Sequence, residues 1–423
     1  MTRLLVIMGS GETSPTMIKV HRSLFERLGE GAGPKHSAVP AVLLDTPVGF
    51  QENAEIIAAK AVEYFRESVG REMEVATWRR APAADDPVGY ETMLTRVRAA
   101  RYVFAGPGSP SYALKQWAGS DVPDALAEKL RTGGCVTFAS AAALTLGRFT
   151  VPVYEIYKVG DDPCWLDGLN LVAEAGLDAV VIPHFDNAEG GNHDTRFCYL
   201  GERRLAMMER LLPETTFVLG VDEHTACIID LDAQTATVDG RGGVTVRRAG
   251  QVSTVTNGST VPLTQLREMA ESGGVRPIDV QPPSAAPRPA PGAGESPLLQ
   301  AIHALERAFD DALIRGDAPA AVRAVLELEQ TLVDWSRDTL QSDELDRGRS
   351  ALRSMIVRLG DVARSGTADP RETLGPFVEA LLGARDRARA DHRWSEADEI
   401  RDRLVAAGVE VRDTPAGTSW EPA

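Results

Sequence analysis

The sequence predicts a mostly parallel α/β sheet with an antiparallel edge, followed by a separate all-α domain. Three observations lead to this fold class. Short apolar runs alternate with segments of helical spacing as far as Gly220. Short hairpin patterns then fill residues 227–248, and helical periodicity takes over from Leu298 to the end. Strands that alternate with helices indicate a parallel sheet covered on both faces, with ligand loops at the carboxyl ends of its strands.

The predicted strands of the first domain are apolar runs that stop at turn residues. The first, residues 4–8, ends at Gly9-Ser10-Gly11, a loop that is read either as an anion cradle or as a simple turn. Continuous apolar runs of this length are typical of strands buried on both faces. Five further runs share the pattern, and helical spacing covers two of the intervening segments: strands 41–44, 101–104, 135–139, 180–182 and 217–220, and helices 51–67 and 111–117.

The remainder of the chain predicts the domain boundaries. Three short runs, 228–231, 236–238 and 244–246, are joined by turn-rich segments and predict the antiparallel edge. A proline- and alanine-rich stretch follows, and such a composition is typical of an extended linker. We therefore predict an α/β domain over 1–274, a linker over 275–297 and a helical domain over 298–423.

Composition restricts the function classes. A net charge of −16 argues against indiscriminate binding to a phosphate backbone. The four cysteines lie far apart with no CxxC pair, so neither a zinc knuckle nor a disulfide framework is predicted. A reducing, cytoplasmic location is the simplest interpretation. The first apolar run is too short for a signal peptide, and no segment is long enough to cross a bilayer, so no membrane association is expected.

Ser140 is the candidate nucleophile. It separates the buried run 135–139 from an alanine-rich helix former, and a strand that feeds a helix through one hydroxyl residue is typical of a nucleophile elbow. A tight elbow prefers glycine two residues on either side, where this chain has Phe138 and Ala142. The alternative interpretation is that Ser140 is the N-cap of the alanine-rich helix.

A polar loop after residues 180–182 supplies the candidate base. His184 follows that run directly, and a serine needs a nearby imidazole to lose its proton near neutral pH. The alternative is a buried histidine without a catalytic role. The loop also holds Asp186, His193 and Asp194, but their spacing fits no metal motif, and no metal site is predicted. Lys158 is a further candidate pocket residue.

Several ordered segments resemble the peptidase E and cyanophycinase family of serine peptidases. Residues 181–188, then His193, Arg196 and 201–205, closely resemble the family's histidine segment, residues 104–109 with 113–115 its glycine loop, and residues 221–226 its acidic motif. The match runs in order from residue 4 to about residue 250. The resemblance implies a class I glutamine amidotransferase-like (flavodoxin-like) fold. It also implies hydrolysis of aspartyl peptides by a serine, a histidine and an acidic residue, with no metal and no other cofactor.

The resemblance also implies roles for individual residues. Ser140 corresponds to the nucleophile, His184 to the base and Glu155 to the acid that orients the imidazole. The backbone N–H groups of Gly108 and Ala141 would form the oxyanion hole. Four residues are expected to bind substrate, although the arginine among them is read equally well as part of a solvated helix face: Asn187, His193, Arg196 and Glu223.

The end of the chain resembles a different family. Residues 385–390, 394–404 and 408–420 look like the C-terminal part of cysteinyl-tRNA synthetases, where a helical region contacts tRNA. The sequence contains no HIGH-type or KMSKS-type segment and no zinc-ligand set of cysteines, so aminoacylation is not expected. Four arginines are candidate phosphate contacts, although interleaved acids favour a protein-docking helix pair equally: Arg385, Arg387, Arg389 and Arg393.

Two functional hypotheses follow. The first is a serine hydrolase that acts on a small peptide or amide, aspartyl peptides among them, through a Ser140 ester. The second is a non-catalytic ligand-binding domain fused to a module that binds tRNA or a protein. Both leave open whether the chain forms a homodimer.

Overall fold

The computed structural model describes residues 2–29, 39–80, 86–188, 193–271, 296–338, 344–365, 370–414 and 417–422. The chain divides into two compact units, one of residues 1–300 with 332–345 and the other of residues 301–331 with 346–423. The predicted linker lies outside the described residues, apart from its last two positions. The domain boundaries 274 and 298 therefore stay a prediction.

The first unit is built from fourteen strands within its described residues. The strands that carry the site are short and buried, as their apolar sequences predict. In chain order the strands are β1 (Arg3–Met8), β2 (Ala41–Leu44), β3 (Glu74–Ala76), β4 (Tyr102–Ala105), β5 (Gly134–Ala139), β6 (Phe149–Thr150), β7 (Leu166–Asp167), β8 (Ala179–Ile182), β9 (Phe217–Val221), β10 (Thr225–Asp230), β11 (Thr235–Gly240), β12 (Val244–Arg248), β13 (Gln251–Val255) and β14 (Thr260–Pro262).

Eight of these strands form the main sheet, in the order β14-β11-β10-β1-β5-β4-β2-β3. The strands from β1 to β3 in this order pair in parallel, whereas β10, β11 and β14 pair antiparallel on the other side of β1. This confirms the predicted mostly parallel sheet with an antiparallel edge. Strands β8 and β9 do not continue the main sheet, because β10 already occupies the edge of β1. They form a second sheet, in the order β13-β12-β9-β8.

Helices cover both faces of the main sheet. Helix α4 shows how the sequence sets their limits: Ser109 caps it by accepting a 3.1 Å hydrogen bond from the Tyr112 amide, and Pro110 starts its first turn. The helices of the first unit are α1 (Ile18–Gly29), α2 (Ala54–Tyr64), α3 (Pro87–Ala99), α4 (Pro110–Trp117), α5 (Val122–Thr132), α6 (Ser140–Leu144), α7 (Gly201–Glu209) and α8 (Leu263–Glu271).

The core lies on the two faces of the central strands. In β1, Leu5 and Ile7 belong to one apolar cluster, whereas Leu4, Val6 and Met8 belong to the opposite one. This alternation follows from the two-residue period of a strand. Because both faces are covered, a polar side chain reaches an open space mainly where a strand ends. We therefore expect a functional site at the carboxyl ends of β1, β4, β5 and β8.

The second unit is mainly helical, as predicted, and the structure adds a C-terminal hairpin. Alternating Val409 and Val411 point into a small core with Val378, Leu382 and Leu404. Helix α10 contributes residues to both units. The elements from residue 297 onward are α9 (Pro297–Ile314), α10 (Ala318–Trp335), α11 (Glu344–Ser365), α12 (Pro370–Ala390), α13 (Trp394–Ala406), β15 (Val409–Thr414) and β16 (Gly417–Pro422).

Arg385 fastens the hairpin of the second unit to helix α12. Its guanidinium is 3% exposed and donates to both carboxylate oxygens of Asp413, at 2.8 and 2.7 Å. Arg389 donates to the same carboxylate. Two arginines that the sequence offered as phosphate contacts are thus engaged inside the unit. None of the described helices is both long and apolar enough to span a membrane.

Candidate active site

Ser140 stands where strand β5 turns into helix α6. Its φ is +49°, in the left-handed region that L residues other than asparagine and aspartate seldom adopt. Such a conformation costs on the order of 1 to 3 kcal/mol and persists only where the surroundings enforce it. The serine is therefore the strained residue of a strand-to-helix elbow. The structure also argues against the N-cap alternative, because Ser140 is the first residue of α6 and Ala139 is the cap.

The two residues that depart from the glycine pattern fit beside the elbow. Phe138 is fully buried and packs against Trp117, with ring centroids 5.6 Å apart. It points into the core below the sheet, so its bulk does not obstruct the turn. Ala142 is also fully buried, and its amide donates a 3.2 Å hydrogen bond to the Gly106 carbonyl. The elbow thus forms without glycine at either position.

The structure brings Ser140 and His184 together. The Oγ atom of Ser140 lies 2.9 Å from Nε2 of His184, and both residues are almost fully buried. His184 follows β8 and also has a positive φ, of +48°. Its amide donates to the Gly9 carbonyl at 3.3 Å, which ties the turn to the end of β1. The pair has the separation that proton transfer from a serine to an imidazole requires.

Glu223 is the carboxylate beside the imidazole. Its Oε1 atom lies 2.7 Å from Nδ1 of His184 and accepts a 3.1 Å hydrogen bond from the side-chain Nδ2 of Asn187. Burial alone would raise the pKa of Glu223, but its contacts with His184 and Asn187 outweigh burial and lower the pKa. Glu223 is therefore held as a carboxylate, the form that fixes an imidazole tautomer.

This geometry does not support the predicted role of Glu155 as the acid beside the imidazole. Glu155 lies in the turn after β6, where its Oε1 accepts a 2.5 Å hydrogen bond from the Ser111 hydroxyl. It lines a groove of about 590 Å³ together with Phe50, Tyr112 and Lys115, and this groove shares Gln51 and Tyr154 with the cavity of Ser140. The sequence order of a motif does not reveal which carboxylate reaches the imidazole, and here Glu223, expected to bind substrate, occupies that place.

The expected oxyanion loop borders the same space as Ser140. Gly108 and Ala141 line a cavity of about 530 Å³ with Ser140 and His184. Gly108 has a φ of +138°, and a Cβ atom there would lie 2.0 Å from the Pro47 carbonyl oxygen. Only glycine fits this close approach. The Ala141 amide belongs to the first turn of α6, where amides have no partner within the helix.

The remaining candidate substrate residues separate into two groups. His193 and Lys158 line the cavity. Asn187 is fully buried and contacts Glu223 instead of facing the cavity. Arg196 donates to both oxygens of Asp194 and is not among the residues that line the cavity. The prediction that Arg196 binds substrate is not supported.

Two features of the site were not predicted from the sequence. Asp186 accepts the Glu223 amide at 2.7 Å and so joins the loop of the base to the loop of the acid. Burial, followed by the nearby charge of Asp186, raises the pKa of Asp222 to about 7. The signal for this cluster was present in the residues that flank His184 and Glu223, but their distance apart in the chain concealed it.

The second missed feature is a left-handed turn in the cavity wall. Phe197, Cys198 and Tyr199 have φ values of +61°, +55° and +64°. The Cys198 amide donates to the His184 carbonyl at 3.1 Å, and both Cys198 and Tyr199 line the cavity. The residue types Phe, Cys and Tyr do not predict this conformation. Burial raises the pKa of the Cys198 thiol to about 12, so it remains a thiol at neutral pH.

The described residues contain no group of three histidine, cysteine, aspartate or glutamate side chains arranged to hold a metal ion. His184 is engaged by Ser140 and Glu223, and Asp194 by Arg196. The chemistry that this arrangement offers is therefore that of a hydroxyl, an imidazole and a carboxylate in a row.

Comparison with known proteins matches the C-terminal part of the chain to one family. The family model for the cysteinyl-tRNA ligase anticodon binding domain matches residues 371–420. The cysteine–tRNA ligase of Arthrobacter sp. (strain FB24) is 37% identical over 138 residues, which is 30% of this chain and 27% of the ligase. That of Lachnospira eligens is 31% identical over 130 residues, again 30% of this chain and 27% of the ligase. The chain spans about a quarter of the length of these relatives.

Two solved structures are similar to the N-terminal part. A peptidase from an acI-B1 Actinobacterium has a TM-score of 0.49 at 20% identity, over 62% of this chain and 97% of the peptidase. A putative peptidase E protein from Listeria monocytogenes EGD-e has a TM-score of 0.36 at 13% identity, over 60% of this chain and 99% of that protein. The family match confirms the C-terminal resemblance predicted from the sequence.

Proposed function

We propose that the first unit is a serine hydrolase that cleaves a small peptide or amide through Ser140, His184 and Glu223. One observation carries this proposal: Oγ of Ser140 lies 2.9 Å from Nε2 of His184, whose Nδ1 lies 2.7 Å from Glu223. A nucleophile, a base and an orienting carboxylate in this order are the minimal set for acyl transfer.

The proposed reaction has two steps. His184 takes the hydroxyl proton as Ser140 attacks the carbonyl carbon, and the amides of Gly108 and Ala141 donate to the resulting oxyanion. The C–N bond then breaks, the leaving amine takes the proton from His184, and a Ser140 ester remains. Water attacks this ester with His184 again as base, and the carboxylic acid and free Ser140 are released.

Lys158 supports a preference for a substrate that carries a carboxylate. Its exposed side chain lines the cavity of Ser140 in a chain whose net charge is −16. A cation at a concave site attracts an anion more strongly than one on a flat surface. An aspartyl peptide has such a group, and the cavity of about 530 Å³ has the size of a small-molecule site.

Labelling with a fluorophosphonate probe tests the proposal. Such a probe forms a covalent bond with an activated serine, so the full chain should be labelled, whereas Ser140→Ala and His184→Ala should not. Ser111→Ala is the matched control, because its hydroxyl contacts Glu155 outside the Ser140 cavity. Equal labelling of wild type and Ser140→Ala, or no labelling of wild type at all, would exclude the hydrolase.

A second function is proposed for the helical region, namely binding of tRNA. The family match over residues 371–420 supports it. Arg387 is exposed on α12, unlike Arg385, which is buried against Asp413. Because the chain spans only 27% of the ligases and has no ATP-binding signature of theirs, we do not propose aminoacylation.

Binding of the full chain to a tRNA transcript at several salt concentrations tests this second function. A phosphate contact should weaken with salt, and Arg387→Ala should reduce the salt dependence. Asp386→Asn is the opposite control, since removal of an exposed negative charge beside Arg387 should strengthen binding. Binding that does not change with salt or with either variant would exclude a phosphate-contacting role. tRNA binding without probe labelling would instead favour the non-catalytic hypothesis.

A further inference from the structure

We infer that Glu12 is a positioning residue that braces the Gly106–Gly108 loop behind Ser140. The inference rests on the proposed function, because this loop supplies the Gly108 amide of the oxyanion hole. It concerns a side chain that the proposed reaction does not use. Glu12 is fully buried, and neither of its carboxyl oxygens has a hydrogen-bond partner among the described residues.

The backbone of Glu12 is fixed independently of its side chain. Its carbonyl oxygen lies 2.7 Å from Nε2 of His21, a fully buried histidine. The other ring nitrogen of His21 lies 2.8 Å from the Tyr102 hydroxyl, and the imidazole packs edge-on against the Phe104 ring. Glu12 is thus anchored to β4, the strand that leads into the loop at Gly106.

The carboxyl group is aimed at Gly106. A Cβ atom on Gly106 would lie 3.0 Å from Oε1 of Glu12 and 3.6 Å from its Cγ. The carbonyl of Gly106 in turn accepts the Ala142 amide at 3.2 Å. Gly106 is therefore held between Glu12 on one side and the first turn of the Ser140 helix on the other, and Gly108 follows two residues later.

An ionised carboxylate without a partner is costly in such a place, since burial of an uncompensated charge costs several kcal/mol. Burial raises the pKa of Glu12, although its own backbone and the proximity of His184 act in the opposite direction. A neutral acid keeps one O–H donor and an acceptor oxygen. It braces the loop by contact and adds no negative charge where an oxyanion must form.

Three substitutions of Glu12 in the full chain separate the polar group from its volume and its charge. Glu12→Gln retains the size, a donor and an acceptor, and it is neutral at every pH. Glu12→Met retains most of the volume without the polar group, and Glu12→Ala removes both. Glu26→Ala changes an exposed glutamate of α1 and serves as the control.

Hydrogen exchange of the segment that includes residues 104–109 gives a readout that does not depend on activity. We expect wild-type protection in Glu12→Gln, Glu12→Met and Glu26→Ala, which keep the contact, and faster exchange in Glu12→Ala. With an amide substrate, kcat should fall at least tenfold in Glu12→Ala with KM little changed, and Glu12→Gln should retain the wild-type value. The infrared difference spectrum between wild type and Glu12→Gln should contain the band of a protonated carboxylic acid.

Three outcomes would overturn the inference. If Glu12→Ala unfolds at lower temperature but keeps loop protection and kcat, Glu12 only fills space. If Glu12→Gln is as damaged as Glu12→Ala, the ionised form is the one required. If all variants exchange like wild type, the loop does not depend on Glu12. An inactive wild type would count against the hydrolase alone, because the exchange experiment would still decide the role of Glu12.

Discussion

Ser140 and His184 both have left-handed backbone conformations, with φ of +49° and +48°, and their side chains meet at 2.9 Å. Each residue follows the end of a buried strand, β5 and β8 respectively, and these strands belong to different sheets. Two strained positions on separate sheets that converge on one hydrogen bond are costly to maintain. Strain of this kind is concentrated at functional sites in folded proteins.

The first prediction distinguishes the two candidate acids. Glu223→Gln should lower kcat by a factor of about 10³ to 10⁴, because an amide in place of the carboxylate favours the wrong imidazole tautomer. Glu155→Gln should leave kcat within about threefold of wild type, since Glu155 contacts Ser111 and not the imidazole. Steady-state kinetics of both variants on the same amide substrate measures the difference. The reverse order would restore Glu155 as the acid.

The second prediction concerns the strain at Ser140. Glycine accepts a positive φ without penalty, whereas alanine keeps the Cβ atom that causes the strain. Ser140→Gly should therefore be more stable than Ser140→Ala by about 1 kcal/mol, after allowance for the greater freedom of glycine in the unfolded chain. Urea unfolding of the two variants, neither of which should react with the probe, gives the comparison. An alanine variant equal to or more stable than the glycine variant would contradict a strained elbow.

The third prediction concerns Phe138. Because Phe138 is fully buried against Trp117, Phe138→Ala should destabilise the protein by about 3 to 5 kcal/mol. Probe labelling at a temperature where the variant is folded should persist, since the ring lies in the core and not in the turn. Thermal unfolding and labelling measured together test both parts. Faster labelling than in wild type would indicate that the ring obstructs the elbow.

The fourth prediction is a pH dependence of stability that arises from Asp222. Burial and the Asp186 charge raise its pKa to about 7, whereas an aspartate in the unfolded chain titrates near about 4. Between these values the folded state retains a proton that the unfolded state has lost, so this contribution to stability declines as pH rises through 7. Asp222→Asn should remove the decline. Its melting temperature relative to wild type should therefore be higher at pH 8 than at pH 5.

Asp232 provides a control of opposite sign for the pH experiment. Burial alone would raise the pKa of Asp232, but its hydrogen bonds from Arg3 lower the pKa. Its stabilising contribution is present at neutral pH and is lost as pH falls through the lowered value. Asp232→Asn should therefore be less stable than wild type at pH 8 and approach it at low pH. Parallel behaviour of the two variants would contradict the assignment of the raised group to Asp222.

The sequence predicted the sheet because its strands are read from local patterns. Residues 4–8 and 135–139 are apolar throughout, and the structure places them side by side as β1 and β5. It did not predict that β8 and β9 form a second sheet, because the local pattern of a strand does not reveal which strands are its neighbours. The C-terminal hairpin was missed because the whole region was read as helical, although Gly408 precedes Val409 and the sequence where the two strands join contains Pro415 and Gly417, which are turn signals.

The candidate site was likewise predicted only in part. Ser140 and His184 each follow a recognisable run, so their positions could be predicted from the chain alone. Which carboxylate contacts His184 is a question of three-dimensional distance, and both Glu155 and Glu223 had suitable sequence contexts. Glu12 could not be singled out, because a glutamate in a glycine-rich turn normally faces solvent. Only its burial distinguishes it.

The turn formed by Phe197, Cys198 and Tyr199 has a consequence for how the protein opens. Three successive left-handed residues store backbone strain, which is released when the turn unfolds locally. Local opening requires less free energy where strain is released than where packing alone is lost. This stretch of the cavity wall is therefore expected to open before β1 or β5. A bound substrate in contact with Tyr199 would close that weak point and lengthen the lifetime of the intact wall.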